Sequence, residues 1–309
     1  MGITHQSITM DLGEGVTIQH SFSNKPDEGY NNYYDKFKRY IDIISSHAIS
    51  IDPEVTAKNY FVPEIADDSV FCYRDTNSGR AGIGGITEKL KNHRIGIVGL
   101  GGTGSYVLDF IAKTPVEEIH LFDGDKFIQH NAFRAPGAPT GEILRECKKK
   151  TDYLAGVYSN MHKHVISHGD YLEDDNMHEL DALDYIFICI DKGSAKKHII
   201  EYLMKNQHSF VDVGIGLQVY EGTLLGQVRV TGGMPNSYDK IQRFINFIDD
   251  EKDEAYQSNI QIADINALNA CLAVIQWKKS CGFYQDKSNY LNMVYSINDG
   301  ELINEAAAI

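Results

Sequence analysis

Apolar and polar positions alternate with period two from Ser7 to Ser23 around Gly13-Glu14-Gly15, which predicts a short β-hairpin. The period then lengthens. Tyr33, Phe37, Tyr40, Ile41 and Ile44 recur at near-helical spacing, so Gly29 to Ser46 is expected to form an amphipathic helix. A loop through Asp52-Pro53 and a second helix near Gly85 to Lys91 complete an N-terminal extension, residues 1–91. From Arg94 strands and helices alternate, as in a parallel sheet covered on both faces. The expected strands are Arg94–Val98, Glu118–Phe122, Tyr185–Ile190 and Phe210–Val213. The helices between and after them are Gly104–Lys113, Glu142–Met161 and Ser194–Asn206. Gln218 to Val230 reads as a hairpin around Glu221-Gly222, and an acidic connection, Asp249 to Glu254, precedes a long helix from Ile260 to Lys279. Asn298-Asp299-Gly300 between apolar runs marks a last hairpin. The fold class expected is α/β: a doubly wound, mostly parallel sheet over residues 92–309, with antiparallel hairpins at its C-terminal side and a small α+β extension before it.

Composition narrows the function. The chain has 309 residues, 42% hydrophobic and 23% charged, enough for a sizeable core. Its net charge of −14 argues against a nonspecific nucleic-acid binder, which needs a basic face to displace counterions. No apolar run reaches the length of a membrane span, and the start lacks a secretory pattern, so a cytoplasmic protein is expected. Cys72, Cys147, Cys189, Cys271 and Cys281 form no C-x-x-C pair, so neither a disulfide framework nor zinc is expected. Cys189 lies in an apolar strand and reads as a small buried hydrophobe. Cys147, beside Lys148-Lys149-Lys150, is the one cysteine whose neighbours favour reactivity. His162-Lys163-His164 has no third ligand near it and is expected to face solvent. Ile265, Leu268, Leu272 and Ile275 mark the core face of the last helix.

The chemistry concentrates after the first strand. Gly99-Leu100-Gly101-Gly102-Thr103-Gly104 fits G-x-G-x-x-G between a strand and a helix, where tight turns and close backbone approach to a phosphate require glycine. The helix start adds oriented N–H groups for an anion. Asp123 ends the second strand, where a carboxylate reaches ribose hydroxyls. Asp125, Asn131, Arg134 and the lysine run then line the approach, and Asp191 follows the strand that ends in Ile190. Arginine, lysine and a strand-end carboxylate able to hold Mg²⁺ suit triphosphate cleavage, whereas a dehydrogenase needs hydride geometry; ATP is favoured over NAD.

Together, Gly99 to Gly104, Asp123-x-Asp125, Asn131-x-x-Arg134, a lysine sixteen residues later and Asp191 resemble the adenylating fold of ubiquitin-activating enzymes. The bacterial ThiF and MoeB adenylyltransferases share that Rossmann-like fold. The resemblance covers about Asn92 to Lys279, and Asp191-x-x-x-x-Lys196 carries lysine where the family has arginine. The stretch from His20 to Pro26 onward resembles the extension of a bacterial subgroup tied to ubiquitin-like conjugation operons, some of them associated with antiviral defence. The resemblance implies ATP- and Mg²⁺-dependent adenylation of the C-terminal glycine of a ubiquitin-like protein. Gly99, Gly101, Gly102 and Gly104 would then cradle the nucleotide, with Asp123 and Asp125 on its ribose side. Asn131 and Arg134 would contact phosphates, Lys150 (or Lys149) would stabilise the departing charge, and Asp191 would bind the metal.

The resemblance also implies a homodimer in which an arginine crosses between subunits, with Arg80 and Arg74 as candidates, and a conjugating-enzyme-like partner. Two features depart from the family. The C-x-x-C pairs of its zinc-binding members are missing, and Gly226 to Tyr238 lacks the cysteine that many members use for acyl transfer. Ser237, in that stretch, is expected to cap a helix. The rival readings are adenylation of a peptide or small carboxylate, an inactive scaffold that docks a ubiquitin-like protein, and a nicotinamide-dependent oxidoreductase.

Overall fold

The computed structural model describes residues 4–11, 17–57, 68–247 and 260–306. The turn Gly13-Glu14-Gly15 and the acidic stretch Asp249–Glu254 lie outside those residues. The chain divides into two compact units, Met1–Val62 and Pro63–Ile309.

In the first unit β1 (Thr4–Asp11) pairs antiparallel with β2 (Thr17–Phe22), as the alternation predicts. Helix α1 (Tyr33–Ile51) begins four residues later than its periodicity suggests. Asn32 sets that start: its side chain accepts the Asp35 N–H at 2.8 Å, satisfying one of the first-turn donors. The helix runs on to Ile51 and stops where Asp52, held extended before Pro53, leaves helical geometry. On one side Tyr40 and Tyr30 close a small loop through Asn24: the Asn24 N–H donates to Tyr40 at 2.9 Å and Tyr30 donates to the Asn24 carbonyl.

The second unit opens with two short helices, α2 (Thr76–Ala81) and α3 (Gly84–Thr87). Its sheet is built from β3 (Arg94–Val98), β4 (Glu118–Phe122), β5 (Val165–His168), β6 (Tyr185–Ile188), β7 (Ser209–Tyr220), β8 (Thr223–Gly233), β9 (Tyr290–Ser296) and β10 (Leu302–Ala306). The spatial order is β10-β9-β8-β7-β6-β3-β4-β5. Strands β7, β6, β3, β4 and β5 run parallel, and β8, β9 and β10 add antiparallel ribbons at one side. Helix α4 (Gly102–Ile111) follows β3, and α8 (Gly193–Lys205) follows β6. The chain leaves β3 toward β4 and β5, then returns to β6 on the other side of β3. That reversal makes the gap between β3 and β6 a topological switch point, the place where open α/β sheets bind ligands.

Alternation within the strands feeds two cores. Ile95 and Ile97 pack with Val107, Leu108 and Ile111 of α4 on one face; Val98, Ile186 and Ile188 pack with Ile199, Ile200 and Leu203 of α8 on the other. The last helix, α10 (Ala263–Ser280), closes the first face with Ala270, Ala273, Val274 and Trp277. Between these lie α5 (Gln129–Ala132), α6 (Gly141–Glu146), α7 (Lys150–Tyr158) and α9 (Tyr238–Ile241).

Four expectations change. The helix expected over Glu142–Met161 is two helices, because Cys147 adopts a left-handed conformation (φ 48°) and turns the chain between α6 and α7. The Ile265–Ile275 stripe only borders the buried face of α10: Leu272 packs partly buried against the core. Ile275 is exposed, while Asn266, Asn269, Ala270, Ala273 and Trp277 face inward, where small residues allow close approach to the sheet, Asn269 reaches a backbone carbonyl and Asn266 accepts a side-chain hydroxyl. His162 is fully buried, with Nε2 on the Val116 carbonyl at 2.9 Å, and burial lowers its pKa; only His164 of that pair is exposed. Ser237 stands at the head of α9, but its hydroxyl turns back to the Met234 N–H and carbonyl, both at 3.0 Å, rather than capping.

Candidate nucleotide site

The glycine loop sits where β3 ends at the switch point. Gly99 has φ +88°, and a Cβ there would lie 2.8 Å from the Cys189 carbonyl oxygen and 2.6 Å from Ile190. Gly104 is tighter still, with a Cβ only 1.8 Å from the Gly99 oxygen, and Gly102 gives up its side-chain space to Asn266. Packing inside the protein thus accounts for three glycines. It does not account for Gly101, whose nearest neighbour to a would-be Cβ is Gln261 Oε1 at 3.9 Å. An absent side chain over open space, at the uncapped start of α4, suits close approach by an anionic ligand.

Asp123, 8% exposed, braces the loop. Its Oδ2 accepts the Leu100 N–H at 2.7 Å and its Oδ1 the Asp125 N–H at 2.8 Å. Lys150, 5% exposed, lies across the same carboxylate at 3.2 Å and reaches Asp125 Oδ2 at 2.7 Å. The two neighbouring lysines go elsewhere: Lys149 binds the Gly169 carbonyl and Asp170, and Lys148 pairs with Glu146 at 2.7 Å. Of the lysine run, then, Lys150 is the one beside both carboxylates. Partial burial pushes the Asp125 carboxyl up, but hydrogen bonds from Lys150 and Tyr171 and the Arg134 charge outweigh it and hold it below the usual carboxylate range. Tyr171 pays the converse: the hydrogen bond to Asp125 raises its phenol to about 12. On α5, burial and then the Arg134 and Lys150 charges depress His130.

Among the described residues, Asn131 and Arg134 each keep a buried donor unpaired. Asn131, 2% exposed, uses Oδ1 to accept the Ile128 N–H at 2.9 Å, which leaves its Nδ2 buried without a hydrogen-bond partner. The Arg134 Nε is likewise buried without one. Each costs free energy unless a ligand completes it. Asp191 is exposed just beyond Ile190, the residue that packs on Gly99. Among the described residues no three His, Cys, Asp or Glu side chains converge as a metal cage. A single carboxylate is nonetheless what Mg²⁺ needs when phosphates supply its other ligands. Arg74 and Arg80 are both exposed, Arg80 in the last turn of α2 and Arg74 just before the Asp75 that caps it.

Behind the site runs a network that the residue spacing did not reveal. Lys196, where the family has arginine, is buried and pairs with Asp212 at 3.0 Å; Arg229 pairs with the same carboxylate at 2.5 Å. Arg229 also donates to Thr231, which donates to Asn292 at 2.8 Å. A carboxylate inside the apolar run Phe210–Val213 was the available signal. Asn266, fully buried, accepts the Thr103 hydroxyl at 2.9 Å and so ties α10 to the glycine loop. Tyr171 closes over Gly124, where any Cβ would lie 2.8 Å from its ring. Cys189, expected to be buried, is partly buried and packs against the core, and burial pushes its thiol up.

The ThiF family matches residues 74–295, and a domain of unknown function (DUF6791) matches residues 1–76. A tRNA threonylcarbamoyladenosine dehydratase of Haemophilus influenzae is 25% identical over 130 residues, covering 41% of this chain and 49% of that protein. The crystal structure of E. coli MccB with MccA-N7isoASN has a TM-score of 0.58 at 18% identity, covering 72% of this chain and 66% of MccB. MccB with ATP has a TM-score of 0.54 at 17% identity, covering 72% and 65%. The crystal structure of PaaA also reaches 0.58, at 15% identity, over 94% of this chain and 93% of its own. The chain therefore spans about half the length of the dehydratase and just under two thirds of MccB.

Proposed function

The chain belongs to the ThiF family, and its N-terminal extension fits DUF6791; from that premise we propose that it is an ATP-dependent adenylating enzyme whose acceptor is the C-terminal glycine carboxylate of a ubiquitin-like protein. The observation that carries this reading is the open space at Gly101, next to Leu100, whose N–H is held by the Asp123–Lys150–Asp125 ion cluster, together with the unpaired N–H groups of Asn131 and Arg134.

The carboxylate oxygen attacks the α-phosphorus, the bond from that phosphorus to the bridging oxygen breaks, and pyrophosphate leaves with the electron pair. The attacking group is already an anion, so no general base is required; rate comes from positioning and charge stabilisation. Asp123 fixes the loop and faces the ribose. Asn131 and Arg134 complete their hydrogen bonds on phosphate oxygens. Lys150 exchanges a carboxylate for the departing phosphate. Asp191 would hold Mg²⁺, which supplies charge neutralisation to the polyphosphate. Arg80 or Arg74, delivered from the second subunit of a homodimer, would add a further cation. Crystal structures of MccB hold ATP in one case and MccA-N7isoASN in another, which supports a substrate pair of ATP and a second, carboxylate-bearing molecule. It equally supports a second reading, adenylation of a peptide or small carboxylate, to which the cysteine-free stretch Gly226–Tyr238 adds weight.

ATP–pyrophosphate exchange tests the proposal. Exchange that requires a ubiquitin-like protein ending in glycine, and that falls at least ~100-fold in Asp191→Ala, is the expected outcome. Exchange with short peptides alone selects the second reading. Nucleotide binding without exchange under any acceptor leaves a scaffold. If the arginine acts across subunits, inactive Arg80→Ala regains activity when mixed with Asp191→Ala.

A further inference from the structure

Lys196 and Arg229 pair with one and the same carboxylate, that of fully buried Asp212, at 3.0 Å and 2.5 Å. Their side chains are 6% and 15% exposed. Among the described residues, then, two nearly buried cations share one anion, an excess of positive charge that is costly away from water. The strand register puts this excess at the ligand end of the sheet. Ile188, the last residue of β6, pairs with Asp212, so Gly214 and its β8 partner Arg229 stand about 7 Å beyond the carboxyl end of β6. Gly214 leaves room for the guanidinium, because a Cβ there would meet Arg229 Nη2 at 3.0 Å. Cys189 joins the cluster to the glycine loop: a Cβ on Gly104 would lie 3.2 Å from its own Cβ, and the Asp212 and Lys196 charges both act on its thiol. On the same face, two residues further along each strand, Gly216 and Gln227 border an open cleft of about 390 Å³ whose described lining carries no charged side chain.

We propose that Arg229 receives the carboxylate that attacks the nucleotide, and so selects an acceptor with a free carboxyl end over one that ends in an amide. The inference rests on the adenylation reading and names a residue for its second substrate. In-line displacement sets the attacking and leaving oxygens on opposite sides of phosphorus. The groups assigned to the polyphosphate, Lys150, Asn131 and Arg134, follow β4 on one side of β3, whereas Arg229 stands beyond β6 on the other. A guanidinium holds a carboxylate through paired N–H groups, and an incoming anion balances the charge that Asp212 alone does not. Lys196 acts through Asp212: by taking part of that carboxylate it leaves Arg229 charge to offer. Once the attacking oxygen is bonded to phosphorus the carboxyl is no longer an anion, so the same contact loosens on the product.

N-acetylglycine, a minimal C-terminal glycine, is the probe, and N-acetylglycinamide is its uncharged control. Both are titrated calorimetrically into the full chain with its nucleotide site filled by α,β-methylene-ATP·Mg²⁺. Wild type should bind the acid and not the amide. Arg229→Gln should weaken the acid at least ~10-fold while the affinity for ATP·Mg²⁺ stays within ~2-fold. Arg229→Lys keeps the charge but loses the paired donors and should fall between; it carries the test if the glutamine variant does not fold. Lys196→Met leaves Arg229 and Asp212 as a balanced pair and should also weaken the acid. A wild type that binds neither compound overturns the proposal, as does binding of the acid that survives Arg229→Gln. Loss of ATP in place of the acid also overturns it and assigns the guanidinium to a phosphate. Arg229-dependent binding of the acid by a chain that shows no ATP–pyrophosphate exchange upholds the carboxylate subsite and fails the adenylation reading instead.

Discussion

Lys150 is held at a buried junction of two carboxylates, and its ammonium can turn to a phosphate only by leaving one of them. Removing it strands Asp123 without its cation, so Lys150→Met should cost about 3 kcal/mol of stability by urea unfolding. Adding Asp123→Asn should recover part of that loss, because the two changes remove one interaction. Asp125 gives a pH signature. Its carboxyl is held below the unfolded range, so its ion cluster contributes stability that is present above the unfolded pKa, about 3.9, and is lost as pH falls through the lower folded value. Melting temperature between neutral pH and strong acid should therefore fall less steeply below pH ~4 in Asp125→Asn than in wild type. At this scale the glycines, Asp123 and Asn131-x-x-Arg134 were legible because their spacing is local. Tyr171, Asn266 and the Lys196–Asp212–Arg229 cluster were not, because their partners lie on other strands and helices. Nor does spacing separate Lys150 from Lys149; the turn at Cys147 decides which of the two faces inward.

That turn is the clearest failure of periodicity at the scale of the element. A helical pattern persists from Glu142 to Met161, yet left-handed Cys147 divides it, at a backbone conformation that costs an L-residue roughly 1 kcal/mol and glycine nothing. Cys147→Gly should accordingly raise stability by up to ~1 kcal/mol in thermal unfolding, unless the freer unfolded chain offsets the gain. Strands β3 and β4 keep the boundaries that alternation gives them, since both are buried and continuous. Strand β5 was missed: Val165–His168 is half-buried throughout and carries two polar residues in four. Helix α10 was found but turned about its axis, because hydrophobic spacing cannot see that Asn269 reaches the Gly214 carbonyl at 3.1 Å or that Gln276 reaches Tyr290 at 2.8 Å.

For the molecule as a whole, fold class and switch point follow from the order of strands and helices, and the place of the proposed ligand cradle follows from the switch point. Trp277, the single tryptophan, is fully buried between α10 and the sheet, edge-on to Phe187 and His93. Trp277→Ala should cost about 3–5 kcal/mol, and the wild-type emission should shift to the red on unfolding. The proposed acceptor and the choice between Arg74 and Arg80 as the proposed crossing arginine were not legible, because on that reading both belong to a surface that a single chain completes only with a partner. The central claim is that the Gly101 cradle takes ATP. Calorimetry of ATP·Mg²⁺ and of NAD⁺ on wild type, Asp191→Ala and Gly101→Val tests it most directly. ATP should bind wild type, weaken with Asp191→Ala and fail with Gly101→Val, while NAD⁺ should not bind. Binding of NAD⁺ in preference to ATP, or ATP binding untouched by a side chain at Gly101, would contradict it.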